Sequence, residues 1–119
     1  MDFAYKMVIA VRKDLKMGPG KMAAQVGHAC VNLALNERNQ KRKAFQEWLR
    51  EGQGKVVVKV QSLEELYALK ELAEDRDLPT TVIQDAGKTQ VEPGTTTCLG
   101  IGPAAAKDVD PITGHLPLA

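Results

Sequence analysis

Short β-branched apolar runs alternate along this chain with longer stretches whose apolar residues recur every three or four positions. Residues 6–11 (KMVIAV), 55–60 (KVVVKV), 80–84 (TTVIQ) and 96–101 (TTCLGI) have the length and composition of buried strands. A loop over 12–20, broken by Gly18-Pro19-Gly20, leads into a helical pattern over 21–35. A second helix is predicted over 42–51, stopped by Gly52, with 36–41 as a kink or a continuation. The third starts at a capping box, Ser62 to Glu65, and ends near Asp77 before Pro79. Its apolar face is Leu63, Leu66, Leu69, Leu72 and Ala73. Gly102-Pro103 closes the last strand, and the rest, with Asp110-Pro111, is expected to be loop.

The order is β-α-(α)-β-α-β-β. Strand–helix–strand crossovers make neighbouring strands parallel and put helices on the faces of the sheet. The connection over 85–95 has no helical pattern, so the fourth strand is expected to run antiparallel. The predicted fold class is therefore α/β: a three-layer α/β/α sandwich with a mixed four-stranded sheet. At 119 residues it is one domain, 1–119.

Composition narrows the class. Hydrophobic residues make up 44% and charged residues 26%, which excludes a disordered chain, a collagen-like repeat and a coiled-coil rod. Cys30 and Cys98 form no C-x-x-C pair, and with His28 and His115 they make no zinc ligand set, so no metal is expected. Two lone thiols suggest a reducing compartment. The N-terminal apolar run is too short for a secretory signal or a membrane span, which points to the cytoplasm and to no membrane partner.

The net charge of +1 changes the picture only when divided. Residues 1–59 carry +7 and residues 60–119 carry −6. Arg12, Lys13, Lys16 and Lys21 cluster where the first strand meets the first helix. One face is thus a candidate footprint for a polyanion held through its phosphates, the alternative being two ordinary solvated faces.

The helix over 21–35 carries the candidate chemistry. Taking Lys21 as 0°, Gln25 falls at about 40°, His28 at about −20° and Asn32 at about 20°, while almost everything else is apolar or small. A helix so apolar is expected to be mostly buried, with this stripe facing water, an internal network or a cleft. Asp85 ends the third strand, where clefts host ligands in open α/β sheets; the plainer alternative is a turn-forming Asp beside Gly87. An antiparallel fourth strand would bring Lys21, Asp85, Thr89 and Thr96 or Thr97 to one rim, with His28 at its flank. The chain has one serine, Ser62, already used as a cap, and both cysteines sit in apolar contexts. Water is therefore the expected nucleophile.

These residues together resemble the type 2 peptidyl-tRNA hydrolases of archaea and eukaryotes. The resemblance is carried by G-K-M-A-A-Q-V-G-H-A at 20–29, D-A-G-K-T-Q at 85–90, K-M-V-I-A-V-R-K-D-L-K-M at 6–17, Trp48, G-I-G-P at 100–103 and D-P-I-T-G-H-L at 110–116. It covers essentially the whole chain. It implies hydrolysis of the ester between a peptide and the 3′ end of tRNA, a sheet of strand order 2-1-4-3, homodimers in many members, and no cofactor. On that basis Asp85 positions or deprotonates water, Lys21 stabilises the oxyanion or holds the terminal phosphate, Thr89, Thr96 or Thr97 supply hydroxyls, and Gln25 orients its neighbours. His28 is the alternative base, or else structural. Gln90, Arg12, Lys13 and Lys16 are assigned to substrate binding. The competing functions are a non-catalytic RNA-binding module and a protein-interaction scaffold.

Overall fold

The computed structural model describes residues 3–86 and 92–119. Its elements in chain order are β1 (Tyr5–Arg12), a 3₁₀ turn (Lys13–Leu15), α1 (Pro19–Asn39), α2 (Lys43–Glu51), β2 (Lys55–Val60), α3 (Leu63–Asp75), β3 (Thr80–Gln84), β4 (Thr96–Ala105) and α4 (Ala106–Thr113). The sheet order is β2-β1-β4-β3. β2 is parallel to β1, and β4 is antiparallel to both β1 and β3. This is the expected mixed sheet in the order implied by the resemblance.

Side chains alternate across the two central strands, so each strand feeds two cores. Val8, Ala10, Leu99 and Ile101 pack with Leu66, Leu69 and Ala73 of α3 and Val109 and Ile112 of α4. Met7, Ile9, Val11 and Cys98 pack with Ala29 and Leu33 of α1 and Phe45 and Trp48 of α2. α1 lies close to the sheet because residue 100 is glycine: a Cβ there would come within 2.7 Å of the Leu33 side chain.

Three elements differ from their sequence patterns. α1 runs to Asn39, absorbing most of the stretch in doubt. β4 continues past Gly102-Pro103 to Ala105 instead of closing there. Proline is tolerated in this central strand because residues 102 and 103 lie opposite Met7 alone, in a register shift of the β1–β4 ladder where no ladder donor is needed from Pro103. The expected C-terminal loop contains α4, with Pro111 inside it. Burial of Val109 and Ile112 against the sheet outweighs the proline penalty in so short a helix.

Ser62 caps α3 as expected, its Oγ accepting from the Glu65 N–H at 3.1 Å, while Glu65 Oε2 reaches back one residue further than in a capping box and accepts from the Gln61 N–H at 3.2 Å. Leu72, expected on the apolar face of α3, is exposed. No helix among the described residues is long and apolar enough to cross a membrane.

The divided charge follows the layers. The α1–α2 layer, residues 19–51, holds six Lys and Arg against three Glu, while α3 and α4 hold two Lys against seven acids.

Candidate active site

The C-terminal ends of β1 and β3, the start of β4 and the first turn of α1 meet at one end of the sheet. Asp85 follows β3 directly, and its backbone is tied to the approach to β4. Its N–H donates to the Thr95 carbonyl at 2.8 Å, and its own carbonyl accepts from the Gly94 N–H at 2.9 Å. The carboxylate is thereby aimed at α1, where Lys21 Nζ donates to Asp85 Oδ1. Both side chains are buried, 8% exposed for Lys21 and 1% for Asp85. A buried pair of opposite charges in a low-dielectric site holds its geometry strongly, and removing either partner strands the other.

One turn along α1, Gln25 is also buried. Thr97 Oγ donates to Gln25 Oε1 at 2.5 Å, with the Ile83 carbonyl 3.2 Å away as the alternative acceptor. The Cys98 thiol sits 3.5 Å from the Gln25 carbonyl. Gln25 thus joins α1 to β4 immediately beneath the ion pair.

Thr96 faces the other way. Its hydroxyl lies 3.3 Å from Tyr67 Oη on α3, and its carbonyl accepts from Arg12 Nη1 at 3.0 Å. Arg12 is also bidentate to Asp14, at 3.1 and 2.6 Å. That contact holds the Asp14 carboxyl below the ordinary carboxylate value. The Arg12 guanidinium is therefore engaged within the protein, tying the end of β1 to the start of β4. Lys13 and Lys16 stand exposed around the 3₁₀ turn, with Lys16 in a left-handed conformation at its end.

The structure thus brings Lys21, Asp85, Gln25, Thr97, Thr96 and Arg12 to one end of the sheet. Thr89 and Gln90 lie outside the described residues. His28 and Asn32 are exposed on α1, and most of that helix is not buried. Its buried line is Gln25, Ala29, Leu33 and Glu37. Such an i+4 row drifts by about 40° per step around a straight helix. It carries the buried face away from the azimuth that Lys21 shares with His28, so the expected single stripe divides. Ala23, Ala24, Gly27, Val31 and Leu35 face outward with His28.

Tyr67 was not visible from sequence, because an aromatic residue on an acidic helix carries no local mark of the site. The separation of Thr96 from Thr97 did have a signal: adjacent strand residues point to opposite faces. No group of three or more His, Cys, Asp or Glu that would hold a metal ion occurs among the described residues. Cys98 is fully buried, which pushes its thiol up to about 12, and burial also raises Cys30. Neither thiol is an activated nucleophile.

The fold defines a class before the family does. A solved structure of a protein of unknown function from Agrobacterium tumefaciens superposes with a TM-score of 0.59, covering 99% of each chain at 13% identity, a likeness of fold alone. The family follows from sequence: the model for "Peptidyl-tRNA hydrolase PTH2" matches residues 5–119, and the chain belongs to that family. A relative from Sulfurisphaera tokodaii named peptidyl-tRNA hydrolase is 59% identical over 119 residues, covering 97% of this chain and 98% of its own. One from Saccharolobus islandicus with the same name is 56% identical over 117 residues, covering 95% and 98%.

Proposed function

We infer that this protein hydrolyses the ester joining a peptide to the 3′-terminal ribose of tRNA, freeing both. The observation that carries this reading is the buried Lys21–Asp85 pair at the end of the sheet, in a chain of the peptidyl-tRNA hydrolase family. An ester is an activated acyl group and needs modest help: a base for water and a donor for the developing oxyanion. Asp85 orients water and takes its proton as the water oxygen attacks the carbonyl carbon. The Lys21 ammonium stabilises the oxyanion. Collapse of the tetrahedral intermediate expels the ribose oxygen, which receives the proton from Asp85.

Gln25 and Thr97 are positioning residues in this scheme. Their buried hydrogen bond fixes α1 against β4, and with it the height of Lys21 over Asp85. Arg12 likewise holds the ends of β1 and β4 together, leaving phosphate contact to the exposed Lys13 and Lys16. Thr89 and Gln90, which lie outside the described residues, complete the D-A-G-K-T-Q segment and are assigned to the same chemistry on its sequence alone. His28, exposed on the outer side of α1, has no part in the chemistry. No cofactor is required, and the substrate places the protein in the cytoplasm, where translation runs.

The test is incubation with an N-blocked aminoacyl-tRNA. Wild-type protein should release the acyl amino acid, while Lys21→Ala and Asp85→Asn should not. Tight tRNA binding without release by the wild type would overturn the reading in favour of an RNA-binding module.

A further inference from the structure

At the C-terminal ends of β1 and β2, on the α1 side of the sheet, is a pocket of about 370 Å³ that the chemistry above does not use. It is lined by the apolar Val11, Met17 and Met22 and by Arg12, Lys13, Lys16 and Lys59. Ala119, whose N–H donates to the Val57 carbonyl at 3.0 Å, also lines it. No Asp or Glu side chain lines it among the described residues. Val11 and Arg12 end β1 and Met22 lies in the first turns of α1 after Lys21, so the pocket opens at the same end of the sheet as the ion pair.

Apolar lining residues together with three lysines suit a flat apolar body carried on an anionic chain. Two thioethers make this sharper, because methionine sulfur packs favourably on aromatic rings and adapts to their outline. Lysines meet phosphates as point charges. An aliphatic or acidic side chain of the peptide would use only one of these two features. We propose that this pocket holds the 3′-terminal adenine of the tRNA, lying on Met17 and Met22, with Lys59, Lys13 and Lys16 meeting the phosphates that lead into it. Lys59 becomes a substrate-binding residue on β2, a strand that otherwise lies outside the site. The proposal rests on the hydrolase reading for the identity of the nucleic acid.

The probe is a 5′-phosphorylated CCA trinucleotide, compared with the same molecule lacking the terminal base. With methyl-labelled methionine, the trinucleotide should shift the Met17 and Met22 resonances, and loss of the base should weaken binding about tenfold. In Met17→Ala the base should matter much less, because one of its apolar partners is already gone. Lys59→Glu should weaken the trinucleotide and raise KM for N-blocked aminoacyl-tRNA, each by about tenfold. Unmoved methionine signals, or a full base penalty in Met17→Ala, would overturn the pocket. So would losses that follow the esterified amino acid instead of the base. Trinucleotide binding at Met17 and Met22 without ester hydrolysis would keep the pocket and reject the reaction. Hydrolysis indifferent to the base would do the reverse.

Discussion

α1 buries a polar group near each end, and the two ends are built differently. Near its start, Lys21 and Gln25 find partners far away in the chain: Asp85 and Thr97. Near its end, the buried Glu37 finds them close by: Asn36 Nδ2 donates to it at 2.9 Å, and Arg42 Nε stands 3.9 Å away. The Arg42 N–H also donates to the Glu37 carbonyl at 3.2 Å. The second arrangement locks the turn from α1 into α2 and can form as soon as that turn does. The first exists only when the sheet is complete. A buried charge is therefore not by itself the mark of a site. The mark is a buried pair assembled from distant elements where strands end.

The contrast breaks most decisively at Asp85. Asp85→Asn should lower turnover by on the order of 10² or more while circular dichroism shows an intact fold. Turnover near wild type would remove Asp85 from the chemistry and leave the two ends of α1 equivalent. Glu37→Ala should do the opposite. Its loss should lower unfolding stability by about 1–3 kcal/mol in urea titration, with kcat within about twofold of wild type. A large loss of kcat in folded Glu37→Ala would show that the far end reaches the site.

Thr97→Val should lower kcat about tenfold with little change in KM, since it frees Gln25 without touching substrate. Restoration by Thr97→Ser would separate the lost hydrogen bond from the changed shape. Lys13→Ala and Lys16→Ala should weaken tRNA binding modestly and each reduce the slope of log K against log salt by about one. An unchanged slope would mean that neither meets phosphate. A final effect, on stability alone, appears only in alkali. The Cys98 thiol keeps its proton in the folded state up to about 12, against 9.0 for an ordinary thiol, so the unfolded state loses the proton first. Stability should then be unaffected below about pH 9 and fall as pH rises toward 12, and Cys98→Ala should flatten that fall.

Much of the fold was legible because it is written in local pattern. Residues 55–60 and 80–84 are strands at the predicted bounds, and Ser62 caps α3 through Glu65. α4 was not legible, because Asp110-Pro111 is a turn signal and only the sheet beneath Val109 and Ile112 overrides it. The site was half legible. Lys21 and Asp85 stood out as a cation at a helix start and an acid at a strand end. Their meeting depends on β4 lying between β1 and β3, which no local pattern states.

The sequence by itself determined the elements up to the fourth strand, the mixed sheet, the partition of charge and the family. These follow from periodicity, turn chemistry and specific blocks of residues. Only the tertiary structure decided which polar groups of α1 are buried. A helix of 21 residues laid across a sheet buries the row that meets it, and that row drifts away from the stripe defined at its first turn. Tertiary structure also decided that adjacent threonines serve opposite faces, Thr97 holding Gln25 and Thr96 meeting Tyr67. Burial and partnership belong to packing, and packing is set by elements far apart in the chain.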